Sequence, residues 1–337
     1  MERRDCMIEK IITQYNDRNS VYGGQLTNHL NMGLYALYRM GADEKKLHDY
    51  AKSYLERKNI SPQPPSEVPI HLANYEYFLG HMGYYSSFIP FFTEQIEILG
   101  VEETLRKFLN RLIDGSAGGA FHGIIRTAYA YELGDKKEIA KALAYFSECY
   151  QAYPINIEPD STANPLDHVK KLATMDYFKN FAFKRSLITG RMMDIYEDPV
   201  FHSEVRALDT SLCNSESFAD LTLTLYGMTE DFTMLHGFTS THAIRVLKEF
   251  FDDYTEVLKQ HWINLQLAYL STGCTPLNPM PEAEEVDEWD QLFKKALEVK
   301  DVHTIKLIYS LHEQSRIGAK EDRAYRLIAQ QRVNNSQ

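Results

Sequence analysis

Cysteine is scarce in this sequence, and the few cysteines are far apart. The 337 residues include only Cys6, Cys149, Cys213 and Cys274, so there is no CxxC pair. Neither a zinc ribbon nor a disulfide framework is therefore indicated, and this cysteine usage predicts a cytoplasmic location.

The sequence also lacks a dense block of positive charge and a long apolar run. Asp and Glu outnumber Lys and Arg, which gives a formal net charge of −11. An acidic chain without a basic cluster is not expected to bind nucleic acid. The first 15 residues carry several charges and no apolar signal core, and no later stretch looks long enough to span a bilayer. No membrane association is therefore expected.

Nucleotide-binding motifs are missing as well. The glycine-rich run Gly115–Gly119 does not follow the GxGxxG order, and no Walker motif is present. Alternation typical of a β-strand is limited to the ambiguous run Leu221–Tyr226. A parallel-sheet nucleotide-binding fold is therefore not expected.

Helical periodicity is present along most of the chain. Apolar residues recur at spacings of three and four, which predicts an all-α fold. We expect a single large multi-helix globule over residues 1–337, with an interior cavity for a metal and a substrate. A proline-rich loop is a possible subdomain boundary near 153–165. The predicted helices include 71–85, 121–133, 137–150 and 240–258, of which 121–133 and 137–150 form an antiparallel hairpin.

Two histidines frame a hydroxyl-rich stretch, His236-Gly-Phe-Thr-Ser-Thr-His242. One of the three hydroxyl residues is expected to cap a helix that His242 opens, with His236 in the preceding loop. That geometry would let both imidazole rings converge on one metal ion. Arg245 follows His242 by three residues.

A similar pairing occurs earlier, where His122 follows the glycine-rich turn and Arg126 lies four residues later. Gly123 allows another group to approach the backbone closely. The pattern predicts a metal ligand at His122, with Arg126 and Arg245 holding oxyanions or supporting the ligands. The alternative is a core histidine beside a salt-bridged arginine.

Two further segments supply candidate ligands. His29 is predicted in the first turn of a helix, where the dipole favours the neutral imidazole that binds metals. The alternative is a capping or surface histidine. Asp301 is predicted to cap a helix that places His303 and Lys306 on one face. A buried lysine has a lowered pKa, and its neutral amine can add carbon dioxide to form a carbamate ligand. The alternative is a lysine whose amine reaches solvent.

These segments, in this order, resemble the questin oxidase-like family. The resemblance covers the chain from about Asn28 to about Leu311, and Asn31 stands where a proline is usual in the family. The matching stretches are Asn28–Leu30, Gly118–Arg126, Leu235–Arg245 and Asp301–Lys306.

The resemblance implies oxidative chemistry on aromatic polyketide rings, particularly of the anthraquinone type. It implies either Baeyer–Villiger-type oxygen insertion with reduced nicotinamide (NADPH) or ring cleavage by a non-haem Fe(II) oxygenase. The expected partners are dioxygen and a small aromatic substrate. Carried over to this sequence, the implied ligands are His29, His122, His236 and His242, with Lys306 as the carbamylated one. His303 would bind the metal or support a ligand.

Two other functions remain open at this point. An HD-type metal-dependent hydrolase needs an adjacent His-Asp pair, and His48-Asp49 is the one such pair in the sequence. A non-catalytic helical scaffold would bind a partner and no metal. The oligomeric state does not follow from the sequence.

Overall fold

The computed structural model describes residues 2–155, 161–162, 164–318 and 320–336. Helices dominate, which confirms the all-α prediction. In order they are α1 Glu2–Tyr15, α2 Leu30–Arg39, α3 Glu44–Lys58, α4 Tyr85–Leu99, α5 Val101–Leu112, α6 His122–Leu133, α7 Lys136–Glu148, α8 Pro165–Thr174, α9 Asp176–Lys179, α10 Ile188–Tyr196, α11 Pro199–Glu204, α12 Ser215–Thr229, α13 Phe232–Val246, α14 Tyr254–Ser271, α15 Trp289–Leu297, α16 Val302–Ser315 and α17 Asp322–Asn334.

The remaining regular elements are short. Strands β1 Val21–Tyr22 and β2 Leu26–Thr27 form an antiparallel pair, and β3 Ser161–Thr162 runs parallel to β4 Ala207–Leu208. Single 3₁₀ turns occur at Tyr75–Phe78, Ile113–Gly115 and Lys248–Phe250. No helix in the described part of the chain is both long and apolar enough to cross a membrane.

The possible subdomain boundary near 153–165 lies partly outside the described residues, which omit 156–160 and 163. The single-domain assignment therefore stays a prediction. The predicted helical hairpin is present as α6 and α7, which pack against each other and are separated by Gly134 in the left-handed conformation.

Acidic side chains begin the helices that matter most for the site. The Asp231 carboxylate accepts the backbone N–H groups of Thr233 and Met234 at the start of α13. Asp301 does the same for His303 and Thr304 at the start of α16, as the sequence predicts. Such caps satisfy amides that otherwise have no partner in the first turn.

Two of the predicted helices are wrong. Residues 71–85 contain only a 3₁₀ turn, and the glycines that follow it, Gly80 and Gly83, have φ values of +78° and +102°, which no α-helix contains. The helix predicted over 240–258 instead begins eight residues earlier, at Phe232, and ends at Val246.

Four helices form a closed ring around the centre of the molecule. α2 packs against α6 and α16, and α13 packs against the same two helices. Their facing sides supply much of the buried apolar core. Each of these helices also carries one histidine close to its N-terminal end, so the ring positions four imidazoles near one another.

Candidate metal centre

The four histidines at these helix ends are His29, His122, His236 and His303. One ring nitrogen from each lies within 4.8 Å of the corresponding nitrogens of the other three. His29 directly precedes α2, His122 is the first residue of α6, and His303 is the second residue of α16. The structure therefore brings together three of the four histidines implied as ligands, and adds His303.

Backbone carbonyls determine the protonation of two of these rings. The Nδ1 atom of His122 lies 2.5 Å from the Gly119 carbonyl oxygen, and that of His236 lies 2.8 Å from the Phe232 carbonyl oxygen. A carbonyl only accepts, so each Nδ1 carries the proton and donates it. The Nε2 atom of each ring consequently has a free lone pair, which is the arrangement that orients metal-binding histidines.

The other two rings complete the group. His29 Nε2 lies 2.6 Å from His122 Nε2. His303 Nδ1 faces the Asp301 carboxylate at 3.4 Å. The Nε2 atoms of His236 and His303 are buried and have no hydrogen-bond partner among the described residues. Buried polar atoms without partners are rare in proteins, and here they point to a ligand.

Burial keeps the imidazoles neutral. Desolvation lowers the pKa of His29, His122 and His236 well below the ordinary histidine value, and repulsion from neighbouring cationic groups lowers it further. Burial also lowers the pKa of His303, although the Asp301 carboxylate opposes the shift. Four neutral nitrogen donors fit a divalent transition metal such as iron, zinc or copper, and do not fit Mg²⁺ or Ca²⁺.

Lys306 lies one turn beyond His303 and is buried. Its Nζ atom has no hydrogen-bond partner among the described residues. Desolvation lowers the pKa of Lys306 to about 7, and the Asp301 carboxylate partly offsets this. Its positive charge also contributes to the lowered pKa of all four histidines.

A cavity of about 370 Å³ opens onto the histidines, and all four of them line it. This volume is within the usual range for small-molecule sites. Leu26, Leu187 and Phe232 also line it, and each of these apolar side chains is more than 40% exposed. The Phe232 ring centre lies 4.7 Å from that of His236 and 4.6 Å from that of His303.

Sequence reasoning missed Phe232 because it placed the helix start too late. Once α13 begins after Asp231, Phe232 and His236 are four residues apart and share one helical face. The cap signal of Asp231 directly before Phe232 could have revealed this.

The structure does not bring His242 into the group. His242 lies six residues after His236 on a continuous helix, which places the two rings on different faces. Its Nδ1 atom lies 3.0 Å from the Ser310 hydroxyl, and its ring centre lies 5.8 Å from that of Tyr309. The expected turn with converging rings is therefore wrong, and the metal-ligand role implied for His242 has no support from this placement.

The hydroxyl residues expected to cap that helix lie inside it instead. Thr239 and Thr241 donate to the carbonyls of Leu235 and Gly237, one turn back. These hydroxyls are thus satisfied within the helix and do not begin it.

The two predicted arginines lie away from the cavity. Arg126 is buried against Glu138, with a nitrogen–oxygen distance of 3.0 Å, and Glu138 also accepts from the Asn31 side chain. Arg245 donates to the Gln314 side-chain oxygen at 2.6 Å. Neither arginine lines the histidine cavity, so the direct contact with a reacting oxygen predicted for them is not supported.

The residues of the HD-type alternative are elsewhere too. The Tyr15 hydroxyl lies 3.0 Å from His48 Nδ1, and Asp49 pairs with Lys45 at 2.7 Å on the surface. Neither His48 nor Asp49 belongs to the histidine group. The pair therefore does not form part of this candidate metal centre.

Comparison with known families gives a match that covers most of the chain. The family model described as Questin oxidase-like matches residues 26–311, a span that contains all four clustered histidines and Lys306. The description of the family indicates an oxidase or oxygenase. No curated protein matches the chain.

Proposed function

Because the chain belongs to the questin oxidase-like family, we propose that it is a non-haem Fe(II)-dependent oxygenase that acts on an anthraquinone-like aromatic substrate. The reaction is oxidative ring cleavage or Baeyer–Villiger-type oxygen insertion. One observation carries the proposal: four buried imidazoles present ring nitrogens within 4.8 Å of one another at a cavity of about 370 Å³ with apolar side chains in its lining.

His29, His122, His236 and His303 would hold the iron through ring nitrogens. When bound, Fe(II) supplies the electrons that activate dioxygen, which an aromatic ring does not react with by itself. The carbonyl contacts at His122 and His236 fix those two rings in the orientation that presents Nε2 to the ion. Such outer contacts typically contribute 10- to 100-fold to metal affinity or activity.

Lys306 is the candidate for a further ligand. Its buried amine can add carbon dioxide, forming a carbamate and releasing a proton. The carbamate would neutralise part of the metal charge and satisfy a nitrogen that otherwise has no partner. Incubation with ¹³C-bicarbonate should give a carbamate carbon resonance that is absent from Lys306→Met. The spectrum is recorded on protein loaded with diamagnetic Zn(II), because Fe(II) would broaden the signal of a ligand carbon. A spectrum of the Zn(II)-loaded wild type without that resonance would contradict the modification.

The apolar side chains at the cavity bind and shield the substrate. Phe232 presents its ring beside His236 and His303, where it can pack on a planar aromatic ligand. Leu26 and Leu187 exclude water from that ligand. A nicotinamide cofactor, implied by the resemblance, remains a prediction, as does the use of dioxygen.

Elemental analysis of the purified protein tests the iron site. We expect stoichiometric Fe(II) binding in anaerobic titrations of the wild type, and its loss in His122→Ala and in His236→Ala. His242→Ala is the matched control, because it removes an equally buried imidazole on the same helix as His236 but outside the group. Iron retained in both ligand variants, or lost in the control, would contradict the assignment.

Oxygen consumption tests the reaction itself. Iron-loaded wild type should consume dioxygen when 1,8-dihydroxyanthraquinone or a related hydroxyanthraquinone is added. His236→Ala should show no such consumption. An iron-loaded protein that consumes no dioxygen with any member of this class would contradict the proposed substrate class while leaving the metal site intact.

A further inference from the structure

The histidine cavity has an unusual charge for a chain this acidic. No carboxylate lines it in the described structure, although the sequence has a net charge of −11. Lys58 is the one lysine or arginine among the described lining residues. The cavity wall therefore carries a positive charge that no lining carboxylate offsets.

Lys58 is half-buried and has no counter-ion among the residues that the structure describes. Its Nζ atom lies 5.6 Å from the centre of the Tyr22 ring, and Tyr22 lines the same cavity. No carboxylate lies within ion-pair distance of Lys58 in the described structure. Two other partly buried lysines, Lys46 and Lys141, each contact a carboxylate, at 2.9 Å and 3.4 Å respectively.

The position of Lys58 in the fold does not by itself explain this. Lys58 is the last residue of α3, and a cation at a helix C-terminus interacts favourably with the dipole. That effect accounts for a lysine at this position in the chain. It does not account for the absence of carboxylates from the cavity that the lysine lines.

A neighbouring recess has the same sign of charge. It shares Gln25, Ser186, Leu187 and Thr189 with the histidine cavity, and no described carboxylate lines it. Lys184, Arg185 and Arg191 line it, although Arg185 is held by Asp194 and Glu197. The approach to the histidines is thus bordered by positive charge, which attracts anions.

We propose that the cavity takes an aromatic carboxylate, whose anionic group pairs with the Lys58 ammonium while its ring packs against Phe232 beside the histidines. The aromatic part rests on the proposed function, and the carboxylate part rests on Lys58 and on the missing counter-ion. The Tyr22 ring lies beneath the Lys58 Nζ atom and helps to position it. Lys58 determines specificity through its contact with the ligand. It is not one of the proposed metal ligands, so replacing it does not remove any of them.

Binding of two matched probes tests the inference without catalytic turnover. The probes are anthraquinone-2-carboxylate and its neutral carboxamide, measured by equilibrium dialysis with the full-length metal-loaded protein. The wild type should bind the carboxylate about 10-fold more tightly, as expected for one charge-assisted contact. Lys58→Met should lose that preference while keeping its affinity for the carboxamide. Lys58→Arg should retain most of the preference.

The control is Lys52→Met, which removes an exposed lysine from the same helix and should leave both affinities unchanged. Equal affinities of the wild type for the two probes would overturn the inference, and so would a preference that survives in Lys58→Met. If that surviving preference disappears in Lys184→Met, the carboxylate lies in the neighbouring recess. Failure of either probe to bind would also overturn the inference, while the iron titration would still report separately on the proposed metal centre.

Discussion

A single backbone carbonyl decides what His122 can do. The Gly119 oxygen accepts a hydrogen bond from the protonated Nδ1 of His122 at 2.5 Å. The Nε2 atom of His122 therefore keeps a free lone pair and faces His29. His236 is prepared in the same way by Phe232. His261 offers a contrast: its Nε2 lies near the hydroxyls of Ser240 and Thr241, and its Nδ1, which has no partner among the described residues, does not belong to the histidine group. Burial alone does not make a histidine a ligand; an unused nitrogen aimed at other unused nitrogens does.

Residue types alone identified part of this site. His29, His122, His236 and Lys306 stood out because each followed a turn or a predicted cap, and local chemistry is visible in sequence. Which of His242 and His303 joins them depends on how α13 and α16 are rotated about their axes. The rotation of each helix about its axis is set by packing against segments that are distant in the chain. Local patterns in a single sequence do not predict that packing.

Glu132 gives a prediction of pH dependence away from the histidines. Burial raises its pKa from 4.5 to about 7, and its Oε2 atom has no hydrogen-bond partner in the described part of the chain. The folded state therefore binds a proton that the unfolded state has lost. Stability falls as pH rises from about 4.5 to about 7 and then stays lower.

Glu132→Gln should remove this loss and raise the free energy of unfolding at pH 8 by roughly 1–3 kcal/mol. Urea denaturation at pH 5 and pH 8 measures it, with the exposed Glu97→Gln as control. A variant less stable than wild type at pH 8 would show that the Glu132 charge is favourable in the fold.

At the scale of elements, both His-Gly motifs place a glycine inside a helix, yet the two glycines have different neighbours. A Cβ added at Gly123 would lie 2.6 Å from the Phe146 ring and 3.0 Å from the Phe146 Cα. At Gly237 the nearest atom is the Leu265 Cδ2, at 2.8 Å, the far end of a flexible side chain. Glycine is therefore required more strictly at position 123, where α6 packs closely on α7, than at position 237 in α13.

We expect Gly123→Ala to lower the free energy of unfolding by about 1–3 kcal/mol, since helix α6 has to move away from α7. Gly237→Ala should change it by less than about 1 kcal/mol, because the gain in helix propensity offsets a small shift of Leu265. Chemical denaturation of the two variants in parallel measures the difference. Equal losses would mean that the packing of α6 on α7 tolerates a methyl group.

The elements themselves were predictable where local signals agreed. The Asp301 cap and the helical hairpin of α6 and α7 have clear start and stop residues, and both are present. The start of α13 was misplaced because Thr239, Ser240 and Thr241 look like caps. In the fold they are buried and bond to carbonyls within the helix, which a local pattern does not distinguish from capping.

The whole molecule supplies a charge environment that no single element has. Four helices direct the positive ends of their dipoles toward one point, where the histidines lie. The positive potential at this point disfavours protonation of the four histidines. It also favours negatively charged ligands on a bound metal. The chain as a whole has a formal net charge of −11, so the positive region at the site lies within an acidic protein.

Metal binding should stabilise the entire fold, because the candidate ligands come from four helices and are assembled only in the folded protein. With free Fe(II) at about a thousand times its Kd, linkage adds roughly 4 kcal/mol to the free energy of unfolding. Anaerobic thermal denaturation should show a rise in Tm for the wild type and for His312→Ala, whose ring lies 3.0 Å from Glu313 on the same helix as His303. His303→Ala should show little or no rise. A full rise in His303→Ala would place His303 outside the metal's ligands.

The spread of the four histidines along the chain sets an order of events during synthesis. His29 and His122 are 93 residues apart and come from the first half of the chain, so their pairing becomes possible early in translation. His303 emerges from the ribosome long after them. An iron ion that meets the nascent chain finds at most a partial set of ligands, and such a set also suits zinc or copper. Under the proposed function, selection of iron would therefore be a property of the finished fold, in which α16 packs against both α2 and α13.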